Sequence, residues 1–132
     1  MSLLKRVGKF LKSEKLRAGV IGTGSVAQNA HLPVYENDER INLVAIADLD
    51  ISSRKAVAEE FDIEHTYSEG TQMLSEEDLD IVSICTPPAT HEDFFITAAD
   101  AGVNIYCEKP MAISVEAAKR MVSAAESAGV VT

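Results

Sequence analysis

A chain of 132 residues is long enough to bury a real core and too short for two domains of ordinary size. With 46% apolar and 25% charged residues it has the make-up of a water-soluble globular protein, and no apolar run approaches the roughly 18 residues a membrane span needs. The formal net charge of −9 is unevenly spread: residues 1–17 hold six of the twelve basic side chains and one acid, so the remainder is strongly acidic and repels nucleic-acid phosphate.

Residues 1–15 place Leu3, Leu4, Val7 and Leu11 at helical spacing among Lys5, Arg6, Lys9 and Lys12. That is the pattern of a short basic amphipathic extension, either packed on the domain or open to a partner or membrane surface. It lacks the apolar core and cleavage site of a secretory signal. From Leu16 onward, short β-rich runs alternate with longer helical ones. Arg17 to Ile21 reads as the first strand and Ser25 to about Asn37 as the first helix. Ile41 to Asp48 is the second strand, after which Asp50 or Ser52 caps a helix that turns Ala56, Val57 and Phe61 to the core. A brief third strand lies near Glu64 to Thr66, with one or two helical turns within Ser68 to Leu79. Ile81 to Cys85 is apolar enough for a strand buried on both faces, and Pro87 and Pro88 end it. Thr90 with Asp93 has the spacing of a capping box for a helix ending before Gly102. Asn104 to Cys107 is the fifth strand, Pro110 interrupts the chain, and Ser114 to Ala128 is a strongly periodic helix stopped by Gly129. Residues 130–132 read as the opening of a sixth strand that is cut short.

This alternation predicts an α/β fold: a doubly wound parallel sheet with helices on both faces, a three-layer αβα Rossmann arrangement spanning residues 16–132. Ligands of such folds lie at the carboxyl ends of the strands. Every chemically suggestive segment falls at such an end: Gly22 to Ser25, Asp48, Thr86 to His91, and Glu108 to Pro110. The run Val20 to Ala27, Val-Ile-Gly-Thr-Gly-Ser-Val-Ala, is the layout of a dinucleotide-binding turn. The strand stops abruptly at Gly22, the main chain at Gly24 comes close to a diphosphate, and a small residue at Ala27 lets helix and strand pack. The free N–H groups of Ser25, Val26 and their neighbours then point at the phosphates. Asp48, followed by Leu49, accepts two hydrogen bonds from an adenosine ribose and faces a 2′-phosphate with like charge, which favours NAD and leaves NADP possible. Arg54 and Lys55 either reach toward such a phosphate or are solvated surface charges. Asp50 is expected to be a helix cap.

Thr86, Pro87 and Pro88 offer a stiff apolar wall beside a cofactor. His91 either donates to a ribose or substrate hydroxyl or is structural, and His31 and His65 are read as structural; the three histidines lack metal-ligand spacing, so no metal is expected. Cys85 and Cys107 read as buried reduced thiols, neighbours if their strands are adjacent, which points to the cytoplasm. Glu108-Lys109-Pro110 is the most reaction-relevant segment. A lysine at a strand's carboxyl end polarises a carbonyl or assists proton transfer from an alcohol, unless it is a plain surface lysine in a turn.

With Gly22-Thr-Gly24-Ser-Val-Ala27, His31-Leu-Pro33, Ala47-Asp48, Thr86-Pro-Pro-Ala-Thr-His91 and Glu108-Lys109-Pro110 in register, the chain from about Leu16 to Thr132 resembles the N-terminal half of the Gfo/Idh/MocA oxidoreductases. The resemblance implies a Rossmann domain binding NAD or NADP, with hydride passing between the nicotinamide and a sugar, polyol or cyclitol carbon. It implies that Gly22, Thr23, Gly24, Ser25, Val26, Asp48, Leu49 and Glu108 serve the cofactor, that Thr86, Pro87 and His91 line its nicotinamide side, and that Lys109 is catalytic, touching both substrate and cofactor. It also implies a cis bond before Pro110. Members of that family continue into a substrate-binding domain, which is not expected in these residues. The competing reading is a stand-alone nucleotide-binding or sensing module without catalysis. A homo-oligomer is possible through whatever surface such a second domain would cover.

Overall fold

In the computed structural model the described residues are Leu4 and residues 14–132. The amphipathic helix expected in residues 1–15 falls almost entirely outside them. Five strands, β1 (Leu16–Ile21), β2 (Ile41–Ala47), β3 (His65–Tyr67), β4 (Ile81–Ile84) and β5 (Asn104–Cys107), form one sheet in the order β3-β2-β1-β4-β5. Every pairing is parallel. The helices between them are α1 (Leu32–Asn37), α2 (Ile51–Glu60), α3 (Gly70–Glu76), α4 (His91–Asp100) and α5 (Val115–Ala128). Among the described residues, no helix is long and apolar enough to cross a membrane.

Alternation along the strands divides the core between the two faces of the sheet. Ala18, Val20 and Ile46 point to one face and meet Ala27, Leu32, Tyr35 and Val57. Ile21, Ala45, Ala47, Val82, Ile84 and Ile105 point to the other and meet Met73 and Leu74 of α3, Phe95, Ala98 and Ala99 of α4, and Met121 and Ala125 of α5. The result is the three-layer arrangement expected from the alternating pattern.

Differences in detail have local causes. The first helical stretch, residues 25–37, contains a π-helical turn over Ala27–His31, closed by the Leu32 N–H on the Ala27 carbonyl, a feature the apolar spacing did not foretell. In α2 the inward residue is Val57 with Ala58 and Phe61 packed beside it, while Ala56 faces solvent. Strand β3 sits one residue later than expected. Asp50 caps α2 by accepting from Ser53 N–H (3.0 Å), whereas Thr90 makes no side-chain cap for α4. The Thr90 hydroxyl turns back to Thr86 Oγ1 (2.6 Å) and the Pro87 carbonyl (2.7 Å), so it braces the loop instead. Ser114 caps α5 through Ala117 N–H (3.1 Å), and α5 ends at Gly129 as expected.

Strand register fixes where function can lie. Ile21 stands opposite both Ala47 and Ile84, Ala47 opposite Tyr67, and Ile84 opposite Cys107. The next residues, Gly22, Asp48, Ser68, Cys85 and Glu108, therefore form a row along one edge of the sheet, with β1 at the point where the strand order reverses.

Candidate dinucleotide site

The glycine loop is built on a contact no other residue could make. Gly22 is buried with φ +94°, its N–H donates to the Ala47 carbonyl (2.8 Å), and a Cβ there would stand 2.7 Å from the Cys85 carbonyl oxygen. Gly24 is the reverse case: it is exposed, and a Cβ there would meet nothing within 4 Å. Its hydrogen is therefore not demanded by the chain's own packing. The first helical bond runs from Gln28 N–H to the Gly24 carbonyl (3.0 Å), so the amides of residues 25–27 lie ahead of it at the positive end of the helix. Ala27 is fully buried against the sheet, the role expected of a small residue there.

Asp48 organises the loop from the side. Its Oδ2 accepts from Thr23 N–H (2.7 Å) and from the Thr23 hydroxyl (2.7 Å), and its Oδ1 accepts from Asp50 N–H (2.8 Å). Ser53 reinforces the joint by donating to the Thr23 carbonyl (3.0 Å) and lying 2.8 Å from the Thr23 hydroxyl. Burial raises the Asp48 carboxyl, but the bonds from Asp50 and Thr23 and the nearby Arg54 charge outweigh it and hold the group below its ordinary value. Asp48 thus stays ionised. Three of its four lone pairs are already engaged, which leaves one acceptor position on the carboxylate unused. Arg54 is not a solvated surface charge, because its guanidinium donates to the Asp48 carbonyl oxygen (2.6 Å).

A cleft of about 370 Å³ opens beside these groups. Of the residues expected to serve the cofactor, Gly22, Gly24, Asp48, Leu49, Thr86 and Pro87 line it; Thr90, from the suggestive segment Thr86 to His91, joins them, as do Ser68, Glu69 and Phe94, which were unforeseen. Ser68 and Glu69 follow β3, so the strand-end rule that singled out Asp48 would have found them. Thr23, Ser25, Val26, His91, Glu108 and Lys109 lie outside its lining. Thr23 is fully buried, with its side chain turned to Asp48 and Ser53. Ser25 and Val26 are exposed at the helix start.

His91 does not face the cleft. It is fully buried at the start of α4, with Nε2 2.7 Å from the Thr86 carbonyl and Nδ1 3.0 Å from the Pro110 carbonyl, so it clamps the end of β4 to the turn after β5. That turn carries the expected cis bond, Lys109–Pro110. His91→Leu should therefore act on stability: the fully buried ring loses its packing and its one N–H no longer reaches a carbonyl, costing about 2–4 kcal/mol in urea unfolding. A cofactor ligand would instead show weaker NAD binding at unchanged stability.

The carboxyl end of β5 holds a second polar group. Glu108 accepts from His31 Nε2 (2.7 Å), chiefly for which its carboxyl sits below its ordinary value, and its other oxygen accepts from Lys109 N–H (3.2 Å). Buried His31 continues through Nδ1 to Ser83 Oγ (2.8 Å), and Ser83 to the Tyr35 hydroxyl (2.6 Å). His31, expected to be structural, is joined to the most reaction-relevant segment. A lone serine within the apolar run of β4 was the signal in the sequence. Lys109 itself is exposed. The thiols are free and half-buried on adjacent strands; burial first, then the Glu108 charge, pushes Cys85 up to about 12 and Cys107 to about 11. Both stay protonated at neutral pH, which removes them as nucleophiles.

The pattern of an oxidoreductase family described by its NAD-binding Rossmann fold, Gfo/Idh/MocA, matches residues 16–132, nearly the whole of what has been described. The chain belongs to the Gfo/Idh/MocA family. Within that family it is 36% identical over 117 residues to D-apiose dehydrogenase of Paraburkholderia graminis, a match covering 89% of this chain and 31% of the relative. In three dimensions this Gfo/Idh/MocA domain is similar to an oxidoreductase from Agrobacterium radiobacter in complex with NAD+, L-tartaric acid and magnesium. The two are 30% identical with a TM-score of 0.84, covering 88% of this chain and 34% of the other. It is equally close to the WlbA dehydrogenase from Bordetella pertussis in complex with NADH and UDP-GlcNAcA (32% identity, TM-score 0.83, 89% of this chain and 36% of the other). The chain spans about a third of the length of the relatives it matches.

Proposed function

We propose that residues 16–132 are the cofactor-holding domain of an oxidoreductase that moves a hydride between NAD and a hydroxyl or carbonyl carbon of a sugar, polyol or cyclitol. The observation that carries this reading is the open space at Gly24 beside the ionised Asp48: room that the chain's own packing leaves free, next to a charge with one acceptor position left. The amides that follow Gly24 hold the diphosphate, and Asp48 takes a ribose hydroxyl. Thr86 and Pro87 wall the cleft toward β5. When bound, the nicotinamide supplies the hydride acceptor or donor. Lys109, at the carboxyl end of β5, hydrogen-bonds the reacting oxygen, giving it a proton in reduction and taking one in oxidation. In this reading the substrate-selecting surface belongs to the two-thirds of the relatives' length not matched here, residues 1–15 are a basic extension, and the dehydrogenase relatives favour catalysis over sensing. The free thiols fit a cytoplasmic protein.

The ionised Asp48 repels a 2′-phosphate, and Arg54, which would offset that repulsion, is turned to the Asp48 main chain. Fluorescence titration of the chain should therefore give an affinity for NADH about tenfold or more above that for NADPH. Equal affinities would overturn the assignment to NAD, and failure to bind either would overturn the function. In an enzyme carrying this domain, Lys109→Met should lower kcat by about 10²-fold or more with little change in KM for NAD.

A further inference from the structure

The line Tyr35–Ser83–His31–Glu108 crosses an otherwise apolar layer and lies outside the cleft. We propose that His31 is a positioning residue for Lys109: by holding Glu108 it fixes the turn from which Lys109 emerges and ties that turn to the helix that starts at the glycine loop. The inference rests on the dehydrogenase reading, in which Lys109 meets the reacting oxygen.

The chemistry gives the line a direction. A carboxylate only accepts, so His31 Nε2 carries the hydrogen that Glu108 Oε1 receives. In the neutral ring Nδ1 is then an acceptor, and the group facing it is the Ser83 hydroxyl. Ser83 in turn accepts from the Tyr35 hydroxyl. Every donor points the same way, from α1 through β4 to the end of β5, and each buried polar atom along it is matched. The ring is also held by shape, with Tyr106 of β5 edge-on at 4.8 Å and 73°.

The line matters because of what stands at its end. Lys109 is exposed, and a lysine side chain is flexible, so its placement depends on the main chain that carries it. Glu108 grips that main chain through Lys109 N–H, and His31 in turn grips Glu108. His31 is the last residue of the π-helical turn in the stretch whose first amides face the diphosphate position, so one continuous helical segment links the phosphate end to the support of the catalytic turn.

Nuclear magnetic resonance of the full chain labelled with ¹⁵N tests this. The expected result is His31 as the Nε2–H tautomer, a shifted Lys109 amide in His31→Leu exchanging roughly tenfold faster, and recovery of that amide in His31→Gln, whose side-chain N–H₂ can still donate to Glu108. Should His31→Leu fail to fold, Ser83→Ala serves: it removes the hydroxyl that seats Nδ1, and with the ring loosened in its place the Lys109 amide should exchange faster. An Nδ1–H tautomer in the native chain, or a Lys109 amide unmoved by these changes, would overturn the inference. NADH titration of the same samples keeps the two readings apart. A native chain that fails to bind NADH overturns the function on which the inference rests; a chain that binds NADH while its Lys109 amide ignores His31 overturns the inference alone.

Discussion

Gly22→Ala should lower stability by about 2–4 kcal/mol, roughly 10 °C in Tm for a domain of this size, and Gly24→Ala should leave Tm nearly unchanged. The two glycines lie two residues apart in one loop, so local propensity predicts similar effects. The structure separates them. At Gly22 a side chain must adopt φ +94° and also push into the Cys85 carbonyl, which belongs to the main chain of the adjacent central strand and cannot step aside. At Gly24 there is neither strain nor a neighbour. Thermal melts of the two variants side by side check this, and equal losses would mean that the loop is held in some other way.

Asp48→Ala should damage stability and affinity together. Thr23 N–H is buried and loses its acceptor, a loss of about 1–3 kcal/mol, and NAD loses a charge-assisted hydrogen bond, weakening it about 10- to 100-fold. NADPH, no longer repelled, should close its gap to NADH. Asp48→Asn keeps an oxygen for Thr23 and should regain much of the stability without regaining the preference between cofactors. The stability part carries a pH signature. Because the folded carboxyl lies below its ordinary value of 3.8, its contribution is present above that pH and fades as pH falls through the lowered value. The native chain and Asp48→Ala should thus differ in urea unfolding at pH 7 and converge in acid.

What the sequence made legible was whatever depends on period and punctuation. Alternating apolar runs, Pro87 and Pro88 after β4, Gly129 after α5 and Asp50 before α2 placed five strands and their helices within a residue or two, because each acts through its own backbone preferences. The site was legible to the extent that it follows from strand ends: Gly22, Gly24, Asp48, Leu49, Thr86 and Pro87 do meet at one cleft. What stayed hidden depends on tertiary partners. Whether His91 faces a cofactor or two carbonyls is decided by Pro110, nineteen residues away. How many lone pairs Asp48 has left depends on Thr23, twenty-five residues before it. Thr90 has the spacing of a cap, yet the Pro87 carbonyl and Thr86 hydroxyl compete for its hydroxyl and win. The π-helical turn leaves no mark on the apolar spacing, since Ala27, His31, Leu32 and Tyr35 fit a regular helix almost as well.

If the room at Gly24 belongs to a dinucleotide, filling it must abolish binding while the fold survives. The test is calorimetric titration with NAD of the native chain and of Gly24→Val, whose side chain would enter that room from a Cβ that meets nothing within 4 Å. Saturable binding by the native chain and its loss in a fully folded valine variant is the predicted result. A native chain that takes up no NAD, or a valine variant that binds it as well as the native chain does, would mean that the room at Gly24 does not hold a dinucleotide.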